Sequence, residues 1–333
     1  MANIKDVAFA AETSVATVSR YFSSPEKLSK KTAVKVAKAI EELNYKPNLL
    51  ARNFTQSKSY SILVIAPINN PFLLDVISGI QEVAIANGYT VLLADIMQSQ
   101  RDGTHYYNML ETRLVDGIID FQARLKDSKT PSPPMQNIVT LCDYKPNGIY
   151  PVVSIDDVGA AEEMVDYLTS LGHKHIGCLS GLNFIHASKH RLKGYQNALK
   201  KANIPFDSGL IINGDFSSTC GIKAAKLFAN MPKRPTAIFS MSDKMAIGLI
   251  QGFKKLGLKV PEDISVVGFD DIEFAKYCDP TLTTIRQPAK ELGSEAMKLL
   301  CDIIKGKFAQ NKAPAPYFLP TELIVRASSA APK

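Results

Sequence analysis

The sequence predicts an α/β protein with two parts, a small helical head and a larger body of alternating strands and helices. No segment before residue 61 has a strand pattern, and beyond it short apolar runs alternate with longer amphipathic stretches. A chain of 333 residues has room for roughly two to three domains. With 46% hydrophobic residues it can also bury their cores.

Short apolar runs in the body predict strands that are buried on both faces, as in parallel sheets. They span 61–66, 90–95, 116–120, 137–143, 175–180, 236–241 and 264–270. Helices are predicted between them at 72–87, 157–171, 189–202, 218–230, 243–256 and 288–305. Gly88, Gly172 and Gly257 follow three of these helices, where a left-handed C-cap is expected. The order predicts doubly wound parallel sheets.

The head predicts three helices, Ile4 to Ala11, Val15 to Phe22 with Ser14 as N-cap, and a third capped by Ser29 and ended by Pro47. A short helix, a tight turn and a second helix make a helix-turn-helix. Val18 is expected in the core of the head. Arg20 should face outward, where its guanidinium can grip guanine. A generic helical hairpin explains the same residues, so the pattern alone leaves both interpretations open.

Positive charge is concentrated in the head. Residues 1–60 carry ten Lys and Arg against five acidic residues, whereas the rest of the chain has a net charge of only +2. This favours a polyanionic partner for the head, with a solvated basic surface as the alternative. No apolar run is long enough to span a bilayer and the N-terminus lacks a signal-peptide pattern, so we expect a soluble, cytoplasmic protein without a membrane partner.

The sequence offers little for catalysis. It contains no P-loop, no GxSxG elbow and no GxGxxG after a strand. Two histidine pairs, His173 with His175 and His186 with His190, suggest zinc, but surface or capping histidines are the favoured interpretation. The scattered cysteines are expected to be core thiols: Cys142, Cys178, Cys220, Cys278 and Cys301. We therefore expect no enzyme, no cofactor and no metal site.

Ordered motifs along the chain resemble those of the LacI/GalR family of bacterial repressors. IKDVAFAAETSVATVSRYF and LSKKTAVKVAKAIEELNYKPNLLARNF occupy the head. The body adds NPF at 70–72, VDGII at 115–119, RLKGY at 191–195, SDKMAIG at 242–248, PEDISVVGFDD at 261–271 and DPTLTTIRQP at 279–288. The resemblance covers residues 3–326 and implies a transcriptional regulator, expected to be a repressor, that responds to a small ligand.

The resemblance also implies a domain organisation. Residues 1–46 would form the DNA-binding domain, 47–60 a hinge, and 61–333 an effector-binding and dimerisation domain that resembles periplasmic binding proteins. Its first lobe would comprise about 61–157 and 288–320, and its second about 158–287 and 321–327.

For the head, the resemblance implies base contacts from Val15, Ala16 and Arg20. Contacts that position the head on phosphates are expected from Ser14, Thr17, Ser19, Thr32 and Asn48. Two residues depart from the family pattern. Glu12 stands where the turn usually carries glycine, so strain and an unfavourable charge near phosphates are expected.

The second departure is Phe54, which stands where the hinge usually carries leucine. Residues 48–56 are expected to form a short helix. Phe54 could then act as a minor-groove wedge, or its ring could be too bulky and leave the hinge flexible.

For the body, the resemblance implies an effector between the lobes, outside the carboxyl ends of the strands. The candidate contacts are Phe72, Asp143, Arg191, Phe216, Ser242, Asp270 and Gln287. Carboxylates, a guanidinium and aromatic rings together suit a nucleoside or a sugar. Phe72 and Phe216 could instead be plain core aromatics, and Asp243 is expected to be a helix N-cap.

The expected partners are a double-stranded DNA operator with two-fold symmetric half-sites, a nucleoside or sugar effector, and a second copy of the chain. A homodimer joined through the bodies is expected rather than a tetramer, because the C-terminal segment has no heptads. A second DNA-bound regulator is a further candidate partner. The alternative function is a cytoplasmic small-molecule binding protein or enzyme whose helical head does not bind DNA.

Overall fold

The computed structural model describes residues 2–45, 58–68, 70–95, 104–121, 137–144, 148–308 and 315–333. The chain divides into two compact units, Met1–Ser59 and Tyr60–Lys333. The predicted hinge helix, with Asn48 and Phe54, lies outside the described residues. None of the helices in the described ranges is long and apolar enough to cross a membrane.

The head contains α1 (Ile4–Ala10), α2 (Val15–Ser23) and α3 (Lys30–Glu42), with a 3-10 turn at Pro25–Lys27 between the last two. Ser14 and Ser29 cap α2 and α3, as predicted. Val7, Val18 and Val36 are fully buried and form the centre of the head's core. Ala39, which the sequence pattern did not single out, is also buried there.

The strands of the body are β1 (Ser61–Ala66), β2 (Thr90–Asp95), β3 (Gly117–Asp120), β4 (Ile138–Leu141), β5 (Val152–Ile155), β6 (Ile176–Ser180), β7 (Ile211–Asn213), β8 (Ala237–Ser240), β9 (Ser265–Asp270), β10 (Thr283–Arg286), β11 (Tyr317–Leu319) and β12 (Glu322–Ile324). The helices are α4 (Pro71–Ala86), α5 (Thr104–Glu111), α6 (Asp157–Ser170), α7 (His186–Lys201), α8 (Ser218–Ala229), α9 (Asp243–Lys255) and α10 (Ala289–Ile304). Gly88, Gly172 and Gly257 have positive φ after α4, α6 and α9, as predicted.

Two six-stranded sheets organise the body. The first has the strand order β11-β5-β4-β3-β1-β2, and the second has the order β12-β10-β9-β8-β6-β7. All paired strands are parallel except β12, which runs antiparallel to β10. We call the first sheet with α4, α5 and α10 lobe one, and the second sheet with α6 to α9 lobe two.

The chain crosses between the lobes after β5, after β10 and after β11. The lobes therefore share three connections, and the carboxyl ends of β4 and β9 carry Asp143 and Asp270 toward the space between the sheets.

Helices α4 and α10 of lobe one pack closely against each other. A Cβ on Gly79 of α4 would lie 2.0 Å from the carbonyl oxygen of Lys290 in α10, so only glycine permits this approach.

Candidate effector cavity and nucleic-acid interface

The start of α2 presents the side chains that the sequence predicted to face outward. Val15, Ala16, Ser19 and Arg20 are exposed, whereas Val18 is fully buried. This separation arises because Val18 packs into the head's core while its neighbours point away from it. The first turn of α2 therefore exposes only small or slim side chains, and Arg20 places one exposed guanidinium further along the helix.

Paired hydroxyls mark two helix starts in the head. Ser14 Oγ accepts a hydrogen bond from the Thr17 backbone N–H at 3.1 Å and lies 2.9 Å from Thr17 Oγ1. Ser29 and Thr32 repeat this arrangement at the start of α3, with distances of 3.1 and 2.8 Å. Helix N-termini carry partial positive charge, so both starts suit anionic groups.

Glu12 adopts the left-handed backbone conformation, with φ of 51°. Glycine adopts this conformation without strain, so the expected strain at Glu12 is present. The carboxylate lies 2.5 Å from Lys35 Nζ, and this hydrogen bond and charge lower the pKa of Glu12. The positive charge of Lys35 thus offsets the negative charge of Glu12, which the sequence analysis expected to be unfavourable near phosphates.

A cavity lies between the lobes, at the carboxyl ends of strands from both sheets. Its empty volume is about 740 Å³, a figure that includes solvent space at its open mouth. It is lined by most of the predicted effector residues, namely Phe72, Asp143, Arg191, Phe216, Asp270 and Gln287. The lining also includes residues that the sequence analysis missed, among them Asn70, Leu182, Ile185 and Asp215.

Ser242 and Asp243 have roles that differ from those expected. Ser242 is the N-cap of α9, its Oγ accepting from the Met245 N–H at 3.3 Å, and it does not line the cavity. Asp243 is the first helical residue and is completely buried. Its carboxylate accepts from the Ile272 N–H at 2.9 Å and from Thr284 Oγ1 at 2.6 Å. The N-cap prediction for Asp243 was wrong because contacts from distant segments hold its carboxylate.

Arg191 provides a buried guanidinium in the cavity wall. Its Nε donates to Asp157 Oδ1 at 2.7 Å and its Nη1 donates to the Met241 carbonyl at 2.7 Å. Nη1 also lies 3.8 Å from Asp270 Oδ1, and the guanidinium stacks on the ring of Phe269 at 3.7 Å. These contacts fix the orientation of the guanidinium before any ligand arrives.

Buried carboxylates surround this guanidinium. Burial raises the pKa of Asp157 and that of Asp270 to about 6, although Arg191 lowers both. Burial, followed by repulsion from Asp270, raises the pKa of Asp243 well above its usual range. Burial is also the main cause of the raised pKa of Asp143. The site holds more buried acid than the guanidinium offsets, which disfavours an anionic ligand.

Two polar side chains connect the lobes across the cavity. Asp143, which follows β4 of lobe one, accepts from the Ala187 N–H of α7 at 2.9 Å and lies 3.3 Å from His186 Nδ1. Asn70, the N-cap of α4 in lobe one, lies close enough to Asp270 of lobe two for its side chain to lower the pKa of that carboxyl. Asp143 thus acts as an N-terminal cap for a helix of the opposite lobe.

Three residues that line the cavity have a strained backbone. Cys142, Phe216 and Asp270 line it and have φ values of 65°, 64° and 119°. Non-glycine residues rarely adopt positive φ, and such strain accumulates where the surrounding structure holds functional side chains in place. The φ of Asp270 lies outside the usual left-handed region, so its carboxylate is presented by a backbone that costs energy to maintain.

His173 has a structural role in lobe two. His173 is buried, with Nδ1 2.8 Å from Thr236 Oγ1 and Nε2 2.9 Å from the Ala330 carbonyl oxygen, so the surface or capping interpretation was wrong for it. No cluster of three or more His, Cys, Asp or Glu able to hold a metal occurs within the described residues. The five cysteines carry free thiols.

Comparison with known proteins gives consistent results over both units. Residues 3–48 match the bacterial regulatory proteins of the lacI family, and residues 165–329 match the periplasmic binding protein-like domain. The chain is 39% identical to the HTH-type transcriptional repressor CytR of Escherichia coli strain K12, over 99% of this chain and 97% of that protein. It is 35% identical to the HTH-type transcriptional repressor PurR of Vibrio vulnificus, over 98% of each.

The fold is similar to that of the lac repressor dimer bound to operator and the anti-inducer ONPF. The TM-score is 0.86, with 27% identity and 99% of each chain covered. The segments ARN at 51–53, SILVIAPI at 61–68, YCDPTLTTIRQP at 277–288 and ELIVRAS at 322–328 predict a likeness to CytR, which the sequence identity confirms. The predicted helix-turn-helix head and two-sheet body are confirmed as well. The chain belongs to the LacI family of bacterial regulatory proteins.

Proposed function

We propose that this protein is a sequence-specific DNA-binding transcriptional repressor whose operator affinity is modulated by a nucleoside or sugar bound between the lobes. The observation that carries the proposal is the inter-lobe cavity, where a prepositioned Arg191 faces Asp270 beside Phe72 and Phe216. The protein acts as a cytoplasmic regulator rather than as an enzyme, as the repressor names of its relatives support.

The chemistry of the cavity favours a neutral ligand rich in hydroxyl groups. Its wall carries the carboxylates of Asp143, Asp215 and Asp270 against the guanidinium of Arg191. A phosphorylated ligand would add negative charge to a site where burial already disfavours it. Hydroxyl groups can donate to Asp270 and accept from Arg191 and Gln287, while Phe72 and Phe216 offer faces for a base or a sugar ring.

In the head, Val15, Ala16 and Arg20 contact base edges in the major groove. Ser14, Thr17, Ser19 and Thr32, with Asn48, contact phosphates. The exposed start of α2 and the hydroxyl pairs at two helix starts support these assignments. Phe54 of the hinge enters a minor-groove step as a wedge.

The functional unit is a homodimer joined through residues 61–333, with residues 1–46 as the DNA-binding domain and 47–60 as the hinge. The similarity to a lac repressor dimer on its operator supports a dimer that reads two-fold symmetric half-sites. Lobe one comprises about 61–157 and 288–320, and lobe two about 158–287 and 321–327. A second regulator bound beside it on DNA is a further proposed partner.

The test begins with selection of binding sites from random double-stranded DNA by the full-length chain. Affinity for the enriched site is then measured by fluorescence anisotropy with and without each of the four ribonucleosides, the nucleobases, D-ribose and D-glucose. One ligand is expected to change the affinity and to raise the melting temperature. Asp270→Ala should abolish the ligand-induced thermal shift while DNA binding persists.

Two outcomes would contradict the proposal. Failure to enrich any sequence, with a ligand-induced thermal shift still present, would favour the alternative of a small-molecule binding protein or enzyme with a helical head that does not bind DNA. An unchanged thermal shift in Asp270→Ala would move the effector site away from the cavity.

A further inference from the structure

Two buried hydroxyls in the body have no hydrogen-bond partner among the described residues. They belong to Ser154, in the middle of β5, and to Ser188, in the first turn of α7. Buried polar groups in folded proteins are nearly always hydrogen-bonded, because an unpaired one loses its water without compensation. A helical serine can use the carbonyl four residues earlier, yet Ser188 makes no such bond.

Ser188 lies beside the effector cavity. Its neighbour Ala187 lines the cavity, and so does Arg191, one turn further along the same helix. Gly181, just after β6, lies on its other side, since a Cβ built there would stand 2.4 Å from Ser188 Oγ. The same Cβ would stand 2.1 Å from Cζ of Phe216. The Ser188 hydroxyl and the tip of the Phe216 ring therefore both lie beside Gly181, which has no side chain.

Phe216 lines the cavity next to the Ser188 hydroxyl, and Ser188 itself is absent from the cavity wall. The Phe216 ring is only partly buried, and its backbone has a φ of 64° in the segment between β7 and α8. A partly exposed aromatic ring has fewer packing contacts to break than a ring in the core, so its side chain changes position at lower cost.

We propose that Ser188 is a further ligand contact of this cavity, and that its hydroxyl hydrogen-bonds a sugar hydroxyl of the effector when Phe216 shifts to stack on the ligand. The inference rests on the proposed function, because it assigns a specificity-determining residue to that same site. A hydroxyl both donates and accepts, so Ser188 can pair with a ligand hydroxyl in either direction. Ser154, inside β5 and absent from the cavity wall, receives no such role.

The experiment compares Ser188→Ala with Ser154→Ala in the full-length chain. Each substitution removes an unpaired buried hydroxyl, so neither is expected to lower the melting temperature of the ligand-free protein. Affinity is measured by isothermal titration calorimetry with the four ribonucleosides, D-ribose and D-glucose. Ser188→Ala should weaken the ligand that the parent binds by about tenfold, the value of one neutral hydrogen bond, and Ser154→Ala should leave that affinity unchanged.

Deoxy analogues of the ligand identify the group that Ser188 contacts. The analogue that lacks the contacted hydroxyl should bind the parent and Ser188→Ala equally, whereas the other analogues should keep the tenfold difference. Equal affinity of the parent and Ser188→Ala for every probe would overturn the inference while the proposed function stands. A lower melting temperature of ligand-free Ser188→Ala would overturn the inference too, if the loss of folded protein accounts for the weaker binding. If the parent binds none of the probes, the proposed effector class fails, and the inference fails with it.

Discussion

Asp270→Asn is expected to stabilise the ligand-free body at pH 7.5. Burial raises the pKa of Asp270 to about 6, so its carboxylate is charged at this pH in an environment that disfavours the charge. Buried Asp157 and Asp243 lie nearby, and Asp157 takes the shorter contact with Arg191, 2.7 Å against 3.8 Å for Asp270. An asparagine removes one charge from this group and keeps an oxygen for the hydrogen bond from Gln287 Nε2.

The magnitude follows from the pKa. A rise from 3.8 to about 6 is roughly two units, or about 3 kcal/mol, at about 1.4 kcal/mol per unit. The variant loses the charge-assisted part of the Gln287 bond, so the net gain is expected to be about 1–3 kcal/mol. Because its pKa is raised on folding, the Asp270 carboxyl binds its proton more tightly in the folded protein than in the unfolded chain. The contribution of Asp270 to stability therefore rises as the pH falls from above 6 toward 3.8, and the advantage of the variant shrinks over that window.

The assay is urea unfolding of the full-length chain, followed by circular dichroism at pH 7.5 and pH 5.0. Asp75→Asn, at an exposed carboxylate of α4, is the control and should change stability little at either pH. A variant less stable than the parent at pH 7.5, or a stability difference equal at both pH values, would refute the reasoning. The stabilised variant should also lose the ligand-induced thermal shift, since stability would be gained at the expense of a binding group.

Three further predictions concern the head and the C-terminal segment. Arg20→Ala should lower discrimination in favour of one guanine by about 1–3 kcal/mol, whereas Thr17→Ala should weaken binding to all DNA sequences alike. If anisotropy titrations show that Arg20→Ala weakens binding to selected and random DNA equally, Arg20 contacts the DNA backbone instead. Glu12→Gly should raise the melting temperature of the head slightly, because glycine accepts a φ of 51° without strain; a clear decrease in calorimetry would show that the Lys35 ion pair outweighs the strain. Ser328→Ala should destabilise the body by about 1–3 kcal/mol in urea unfolding, because it leaves the Thr283 N–H and the Val266 carbonyl without their partner; unchanged stability would mean that water replaces the hydroxyl.

Local sequence patterns were sufficient to predict most of the longer elements, although helix α5 (Thr104–Glu111) was not among the predicted helices. β1 and β9 are apolar runs of six residues that are buried almost throughout, and such runs identify a strand covered on both faces without knowledge of its neighbours. Helix ends could also be predicted where a hydroxyl side chain or a glycine sets the local geometry, as at Ser14, Ser29 and Gly88. These features depend on residues within a few positions of one another.

Five short strands were not predicted from local patterns. β5, β7, β10, β11 and β12 have three or four residues each, and Thr283–Arg286 of β10 has a largely polar sequence. Their extended conformation depends on hydrogen bonds to strands from distant parts of the chain. β12, for example, pairs antiparallel with β10, placing Leu323 opposite Ile285. The pattern of either segment by itself contains no sign of that pairing.

Some features of the cavity could be predicted from the sequence, whereas others could not. Predicted strand ends indicated Asp143 and Asp270, because the carboxyl ends of parallel strands meet at one edge, and the family resemblance added Gln287. The roles of neighbouring side chains depended on contacts made far along the chain. Asp243 is held by Thr284 across 41 positions, and His173 is bound by Ala330 across 157. Sequence spacing encodes which face of an element is apolar, but the burial of a polar group and its partner arise only when distant segments pack together, and burial and partner are what set its charge and its function.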